Sequence, residues 1–445
     1  MRPLFIAVGW AVLFILLIPE AALAAAEPAA LDTGNTAFIL ICSALVMLMT
    51  PGLAMFYGGM VRSKNVLSIL MQCLAVMALV SVQWVLLGYT LSFGPDHSLL
   101  IGGLDFLGLK GVGMEPLAGS AGIPQAAFAG FQLMFAMITA ALISGAVAER
   151  MRFSAFVVFT ILWTTLVYDP LAHWVWGGGW MARLGIMDFA GGTVVHISSG
   201  VSGLVAALVL GKRLGKDQET IRPHHLPMTM LGAGLLWFGW FGFNAGSALA
   251  ADGVAAQAFL VTNLCAAAGI FSWVGAEWLH HGKPTLFGAA SGAIAGLVCI
   301  TPAAGFVSPM AAVIMGFLVG PICYLAVSKV KDQFGYDDSL DAFGIHGIGG
   351  TLGALLTGVF ASRSVNPAGF DGLLAGNPEQ FMLQVLGVVA TYLFAGLVTY
   401  LILTVIGRFT ELRVTAAEEE FGLDQSLHGE DAYVDTDLSG ISQAS

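Results

Sequence analysis

The chain has 445 residues, of which 57% are apolar and only 10% charged, and its net charge is −11. Soluble domains carry about 25% charged residues, so this composition, with a mean hydropathy of +0.85, excludes a soluble domain and defines a polytopic membrane protein. The surplus acid lies in loops and in the tail from Glu418 to Asp437, and the absence of a basic patch excludes a nucleic-acid partner.

Residues 1–26 read as a secretory signal: Arg2 gives a short positive start, the run from Leu4 to Ile18 is apolar, and Pro19 precedes small residues ending Ala24-Ala25-Ala26. The alternative is an uncleaved first membrane helix, but Pro19, Glu20 and the alanine run favour cleavage. The mature chain then begins near Glu27, outside the cell. Residues 27–410 form the transmembrane domain and 411–445 a cytoplasmic C-terminal tail.

Crossing ~30 Å of hydrocarbon takes about 20 residues. Eleven apolar runs qualify, at 36–57, 66–93, 126–148, 153–173, 191–211, 227–248, 255–277, 285–303, 306–328, 343–361 and 381–407. The second and last are long enough to imply tilt. With an external N-terminus, thirteen of the seventeen Lys and Arg residues fall in inner loops, and only Lys110, Arg183 and Arg363 in outer ones. That bias sets the orientation and puts the tail in the cytoplasm. The five cysteines all lie inside apolar runs without CxxC spacing, as small core residues rather than disulfide or metal partners. No cofactor or metal is called for.

Eleven crossings divide into five, five and one. His196 falls in the fifth run, followed by Gly200 and Gly203; His346 falls in the tenth, followed by Gly350 and Gly353. An odd repeat unit forces the halves into opposite orientations, as in inverted-repeat transporters. The predicted fold is therefore all-α, with eleven transmembrane helices in two inverted five-helix repeats plus a final long helix. An ionisable residue facing lipid costs several kcal/mol, so the two histidines should meet near mid-bilayer and line a path. The alternative is a pair of polar contacts gluing helices together.

Phe131 and Phe135 share a helical face, as do Phe243 and Ser247, while Trp176 precedes Gly177-Gly178-Gly179. Spacing alone favours packing or an interfacial role for these residues. Asp188 stands eight residues before His196 and either receives a cation or caps the fifth helix; spacing favours the cap. Asp341 stands correspondingly at the start of the tenth, and a cap is expected there too. His173, beside Trp176, reads as peripheral. No HExxH, GxSxG or Walker pattern occurs, so neither a membrane hydrolase nor a nucleotide-driven pump is supported.

The stretches FQLMFAMIT (131–139), AHWVWGGGW (172–180), DFAGGTVVH (188–196), GWFGFNAGS (239–247), DAFGIHG (341–347) and GLDQSLHGEDAY (422–433) resemble the ammonium transporter (Amt) family of the Amt/Rhesus superfamily, in order and over nearly all the mature chain. The resemblance implies a homotrimer in the bacterial inner membrane with one pore per subunit. It implies an external ammonium site at Trp176, Phe135 and Ser247 with Asp188 beside it, a phenyl gate of Phe135 and Phe243 with Phe131 adjoining, and a pore lined by His196, His346 and Trp240. It also implies that the tail meets a P-II-type nitrogen regulatory protein. The expected function is conduction of ammonia after ammonium, or its analogue methylammonium, sheds a proton at the gate. The alternatives are an ammonium-sensing receptor with little or no flux, or conduction of another neutral solute. The end VDTDLSGISQAS departs from the family pattern.

Overall fold

A computed structural model describes residues 30–96, 98–217 and 221–433. The expected signal at 1–26 and the acidic end after Tyr433 lie outside the described residues. Among the described residues the architecture is helical without strands. Ten of the described helices are long and apolar enough to cross a membrane: α1 (Thr33–Met60), α2 (Ser63–Phe93), α3 (Gln125–Val147), α4 (Phe153–Leu184), α5 (Gly192–Leu210), α6 (Leu226–Gly246), α7 (Gly253–His281), α9 (Pro309–Phe334), α10 (Phe343–Phe360) and α11 (Pro378–Ile406). The remaining expected crossing is α8 (Leu286–Ile300), whose 15 residues rise only about 22 Å at 1.5 Å each. Turns at 301–306 extend it toward the start of α9. All eleven expected segments are thus present.

Local chemistry sets many boundaries. Asp32, Asp252, Thr285 and Ser308 each accept a backbone N–H in the first turn of α1, α7, α8 and α9, satisfying donors that a helix start leaves unpaired. The five cysteines are buried and unpaired.

The inverted relation of the halves is visible in packing. Their first helices, α1 and α6, run against each other, and so do their last, α5 and α10. At the second crossing the contacts are reciprocal. A Cβ on Gly200 would lie 2.3 Å from the Gly347 nitrogen, and one on Gly350 would lie 2.9 Å from the His196 Cβ. Each glycine sits four residues after one histidine and against the partner histidine's turn, the pattern of antiparallel segments related by a pseudo-twofold axis. Close backbone approach at such small residues is how membrane helices pack without a hydrophobic driving force.

The end of the bundle opposite Trp176 carries a cluster of buried ion pairs. Glu149 accepts from the Arg62 backbone (2.7 Å) and side chain (3.0 Å) and pairs with Arg213 at 3.1 Å, while Arg213 also grips Asp337 at 2.9 Å. Burial alone would raise the Glu149 and Asp337 carboxyls. Arg213 and Arg62 outweigh it for Glu149, and Arg213 and Arg150 for Asp337, so both are held below the usual carboxylate range. The tail docks here through α12 (Ala416–Phe421) and the turn after it. Asp424 accepts from the backbone nitrogens of Leu67 (3.0 Å) and Ser68 (2.8 Å), capping α2, and the Leu423 N–H donates to Asn65 at 2.8 Å.

Candidate functional site

Three elements meet at the Trp176 end. The stripe Phe128, Gln132 and Phe135 on α3 lines an open cavity together with Trp176, in α4 just before Gly177-Gly178-Gly179, and Ser247, just past α6. The Trp176 ring stands edge-on to Phe135, with centroids 5.9 Å apart at 87°. The Ser247 hydroxyl donates to the Phe243 carbonyl at 2.9 Å, so its remaining lone pairs are acceptors only.

Asp188 does not line this cavity. Its carboxylate accepts from the backbone nitrogens of Gly191, Gly192, Thr193 and Val194 at 2.6–3.3 Å and from the Thr193 hydroxyl. It therefore caps the first turn of α5 from three residues before Gly191, the role that spacing favoured, and its own carbonyl accepts from Trp176 Nε1 at 2.9 Å. The residue thereby holds the indole in place. The cap expected from Asp341 comes instead from Asp338, which accepts from the Phe343 nitrogen at 2.7 Å; Asp341, at φ +61°, pairs with Lys331 at 2.6 Å. A left-handed residue cannot present its side chain as an N-cap, which requires extended backbone.

The open cavity ends at stacked rings. Phe135 and Phe243 lie face to face, centroids 4.1 Å apart at 14°, with Phe131 edge-on to Phe135 at 4.9 Å. All three are at most 1% exposed. Beyond them lies a narrow cavity walled by Leu53, Ile138, Leu142, Val195, Leu236 and Ile294, with Trp240, His196 and His346. It leaves about 10 Å³ for the centre of a water-sized molecule, close to the minimum for a single water.

The two histidines meet there. Their Nδ1 atoms are 3.2 Å apart and their rings lie at 25°, with His196 also stacked on Trp240 at 5.4 Å. Both sit in π-helical turns, Gly192–Ile197 and Phe343–Gly347, a distortion concentrated at functional positions. An Nδ1–Nδ1 hydrogen bond between neutral rings makes one nitrogen donor and the other acceptor. The two Nε2 atoms must then be of opposite kind, one acceptor and one donor. Trp240 spends its Nε1–H on Thr301 Oγ1 at 2.9 Å, so the imidazoles supply the polar edges of this cavity.

Sequence reasoning missed the cluster at the rim. His173 is fully buried, not peripheral; its Nδ1 faces the Ser92 carbonyl at 3.1 Å and its Nε2 faces Asp96 at 3.3 Å, and Asp96 also pairs with Arg183. Nothing in the spacing linked residues 77 positions apart.

A polytopic helical bundle with antiparallel half-repeats, an open cavity at one end and a narrow apolar cavity at the pseudo-twofold crossing belongs to the class of membrane transport proteins. A sequence model of the Ammonium Transporter Family matches residues 37–433. An ammonium transporter of Bacillus subtilis (strain 168) is 57% identical over 406 residues, 91% of this chain and 100% of that protein. The crystal structure of Saccharomyces cerevisiae Mep2 superposes with a TM-score of 0.82 at 38% identity, covering 87% of this chain and 91% of that one. A solved structure described as a Sensor Amt Protein gives 0.83 at 29% identity, over 89% and 98%. The chain belongs to the ammonium transporter family, whose members are membrane transporters rather than enzymes.

Proposed function

We propose that the protein recruits ammonium at the Trp176 cavity, strips its proton at the Phe135–Phe243 stack and conducts ammonia past His196 and His346. The observation that supports this reading is the succession of an open aromatic-lined cavity, a buried ring stack and a narrow apolar cavity whose polar edges belong to two imidazoles.

Ammonium and potassium are nearly equal in size, so size cannot select between them. Aromatic faces at Trp176 and Phe135 attract a cation by about 2 kcal/mol when water is excluded, and the lone pairs of Ser247 accept an N–H. Beyond the rings, a bare cation loses its hydration in an apolar wall, at an effective cost of several kcal/mol. Potassium cannot avoid that cost. Ammonium avoids it by leaving a proton behind, and ammonia then finds in the histidine pair one donor and one acceptor, which its own N–H groups and lone pair can meet.

The distribution of Lys and Arg supports an orientation with the Trp176 end outside and the tail in the cytoplasm of a plasma membrane. We further propose that the chain assembles as a homotrimer, that 1–26 is a cleaved signal, and that 411–445 receives a P-II-type regulatory protein. Transport is favoured over sensing because the 57% identical relative is named a transporter, whereas identity to the sensor protein is 29%.

The test is uptake of labelled methylammonium into proteoliposomes, in competition with ammonium. The reading predicts saturable uptake that ammonium competes away and that His346→Ala alters in rate or in selectivity over potassium. Absence of flux would leave the receptor reading, and a His346→Ala variant with unchanged rate and selectivity would overturn the role of the histidines.

A further inference from the structure

The last helix, α11, belongs to neither half-repeat, yet one of its side chains clasps the segment that leads into the site. Gln384 is 1% exposed, and its amide holds the Met187 backbone on both sides: Oε1 accepts the Met187 N–H at 2.8 Å, and Nε2 donates to the Met187 carbonyl at 2.7 Å. Nε2 also donates to the Ala354 carbonyl of α10 at 3.1 Å. Oε1 also accepts from Gln380 at 3.3 Å, which itself donates to the Gly185 carbonyl at 2.9 Å. Close approach of the loop is allowed by Gly387, where a Cβ would lie 2.9 Å from the Ile186 side chain. Met187 directly precedes Asp188, which caps α5 and fixes the Trp176 indole. The opposite end repeats this plan with different chemistry. There Asp337 directly precedes the cap Asp338; Arg150 donates to the Asp337 carbonyl at 2.5 Å, and Arg213 holds its carboxylate at 2.9 Å. Asp188 and Asp338 each stand eight residues before a histidine, so Gln384 occupies the place in one half that two arginines fill in the other.

We propose that Gln384 is a positioning residue for transport: it fastens the segment before Asp188 to α10 and thereby sets where the Trp176 indole stands relative to the histidine helices. This rests on the reading of the Trp176 cavity as the ammonium site. Met187 is 5% exposed and lies outside any helix, so its peptide groups depend on the amide. A buried donor or acceptor left unpaired carries its full desolvation penalty. Without the clasp the segment shifts toward other partners, and Asp188 and the indole shift with it. The histidine crossing is held separately, by the backbone contacts of Gly200 and Gly350, so the loss falls on ion recruitment more than on passage. A neutral amide also suits this end of the bundle. It supplies both a donor and an acceptor without the positive charge that Arg150 and Arg213 bring to the other end, a charge that would oppose an arriving cation.

The experiment measures methylammonium uptake against concentration, from acid to mildly alkaline pH, in proteoliposomes carrying the parent, Gln384→Leu, Gln384→Glu or Trp176→Leu. Gln384→Leu removes the clasp at similar volume. It is expected to raise the half-saturating concentration about tenfold, equivalent to about 1.4 kcal/mol, with the maximal rate within about threefold of the parent. Gln384→Glu is the sharper arm. A neutral carboxylic acid accepts the Met187 N–H and donates to its carbonyl as the amide does, whereas a carboxylate only accepts. The partners hydrogen-bonded to the Gln384 amide are Met187, Ala354 and Gln380, none of which titrates. The Glu variant is therefore expected to match the parent's half-saturation in acid and to approach that of the Leu variant as pH rises, while the ratio of Leu variant to parent stays flat. A Glu variant that matches the parent at every pH also supports the clasp. A Glu variant impaired to the extent expected of the Leu one throughout, or a Leu variant with the parent's half-saturation, overturns the inference; the Glu arm stands even if the Leu variant does not reconstitute. Trp176→Leu separates this failure from failure of the site itself: if it raises half-saturation while Gln384→Leu does not, only the role of Gln384 falls, and if neither does, the Trp176 cavity is not the ammonium site.

Discussion

The crossing of α5 and α10 is tight enough to make a single methyl group decisive. A Cβ built on Gly200 lies 2.3 Å from the Gly347 nitrogen, 2.6 Å from its Cα and 3.1 Å from the His346 carbonyl carbon. All are backbone atoms, so no side chain can rotate away. Ordinary contact begins at 3.4 Å, which obliges the two segments in Gly200→Ala to part by about 1 Å, at a packing cost of about 1–3 kcal/mol. The Nδ1–Nδ1 separation, now 3.2 Å, would open to about 4 Å, beyond the roughly 3.5 Å at which a side-chain hydrogen bond ceases to count. Methylammonium uptake by proteoliposomes holding equal amounts of protein should fall by about tenfold or more, since misplacing a functional group by ~1 Å costs up to a hundredfold in comparable chemistry. Gly203→Ala is the control: its Cβ meets the Ala146 methyl at 3.0 Å and the Ala342 methyl at 3.7 Å, a conflict that a few tenths of an ångström relieve. Uptake there should stay within about twofold. If Gly200→Ala transports like the parent and keeps its potassium exclusion, the claim that this crossing sets the histidine geometry is wrong.

Three further outcomes follow from the same geometry. Trp176→Leu removes the indole face and its bond to the Asp188 carbonyl; the lost cation–π attraction of about 2 kcal/mol predicts a roughly thirtyfold rise in half-saturating ammonium, checked by concentration-dependent uptake. Glu149→Gln leaves Arg62 and Arg213 without their shared counter-charge and should destabilise the detergent-solubilised protein by about 3 kcal/mol near neutral pH. Because the folded-state pKa of Glu149 is depressed, its contribution is complete above the unfolded value of about 4.3 and fades as pH falls toward the folded value. Thermal melts of parent and variant should therefore converge in acid, and a constant gap across that range would refute the assignment. Deleting 411–445 removes the Asp424 cap on α2 and the bond that Glu419 accepts from the Leu214 nitrogen. Flux in cells should persist while its response to nitrogen status disappears, and an unchanged response would refute regulation through the tail.

Much of this was legible in the sequence because the strongest signals were long or repeated. Apolar runs interrupted by basic loops marked all eleven segments, and the recurrence of His-x3-Gly-x2-Gly at 196 and 346 singled out the pair that the structure brings to 3.2 Å. Contacts that depend on backbone detail were not legible. The π-helical turns that carry the histidines have no composition signature, and the left-handed conformation of Asp341 moved the α10 cap to Asp338. Asp169, fully buried and held by Gln83 at 2.7 Å, is a carboxyl inside an apolar run, a rarity that the sequence displays by itself.

The decisive measurement compares ammonium and potassium flux through the same reconstituted protein under equal gradients. An account in which the ion must lose its charge at the Phe135–Phe243 stack predicts ammonium flux well above that of protein-free liposomes and potassium flux indistinguishable from theirs. Potassium flux within about tenfold of ammonium's would mean that an intact cation crosses the bore, and would contradict it.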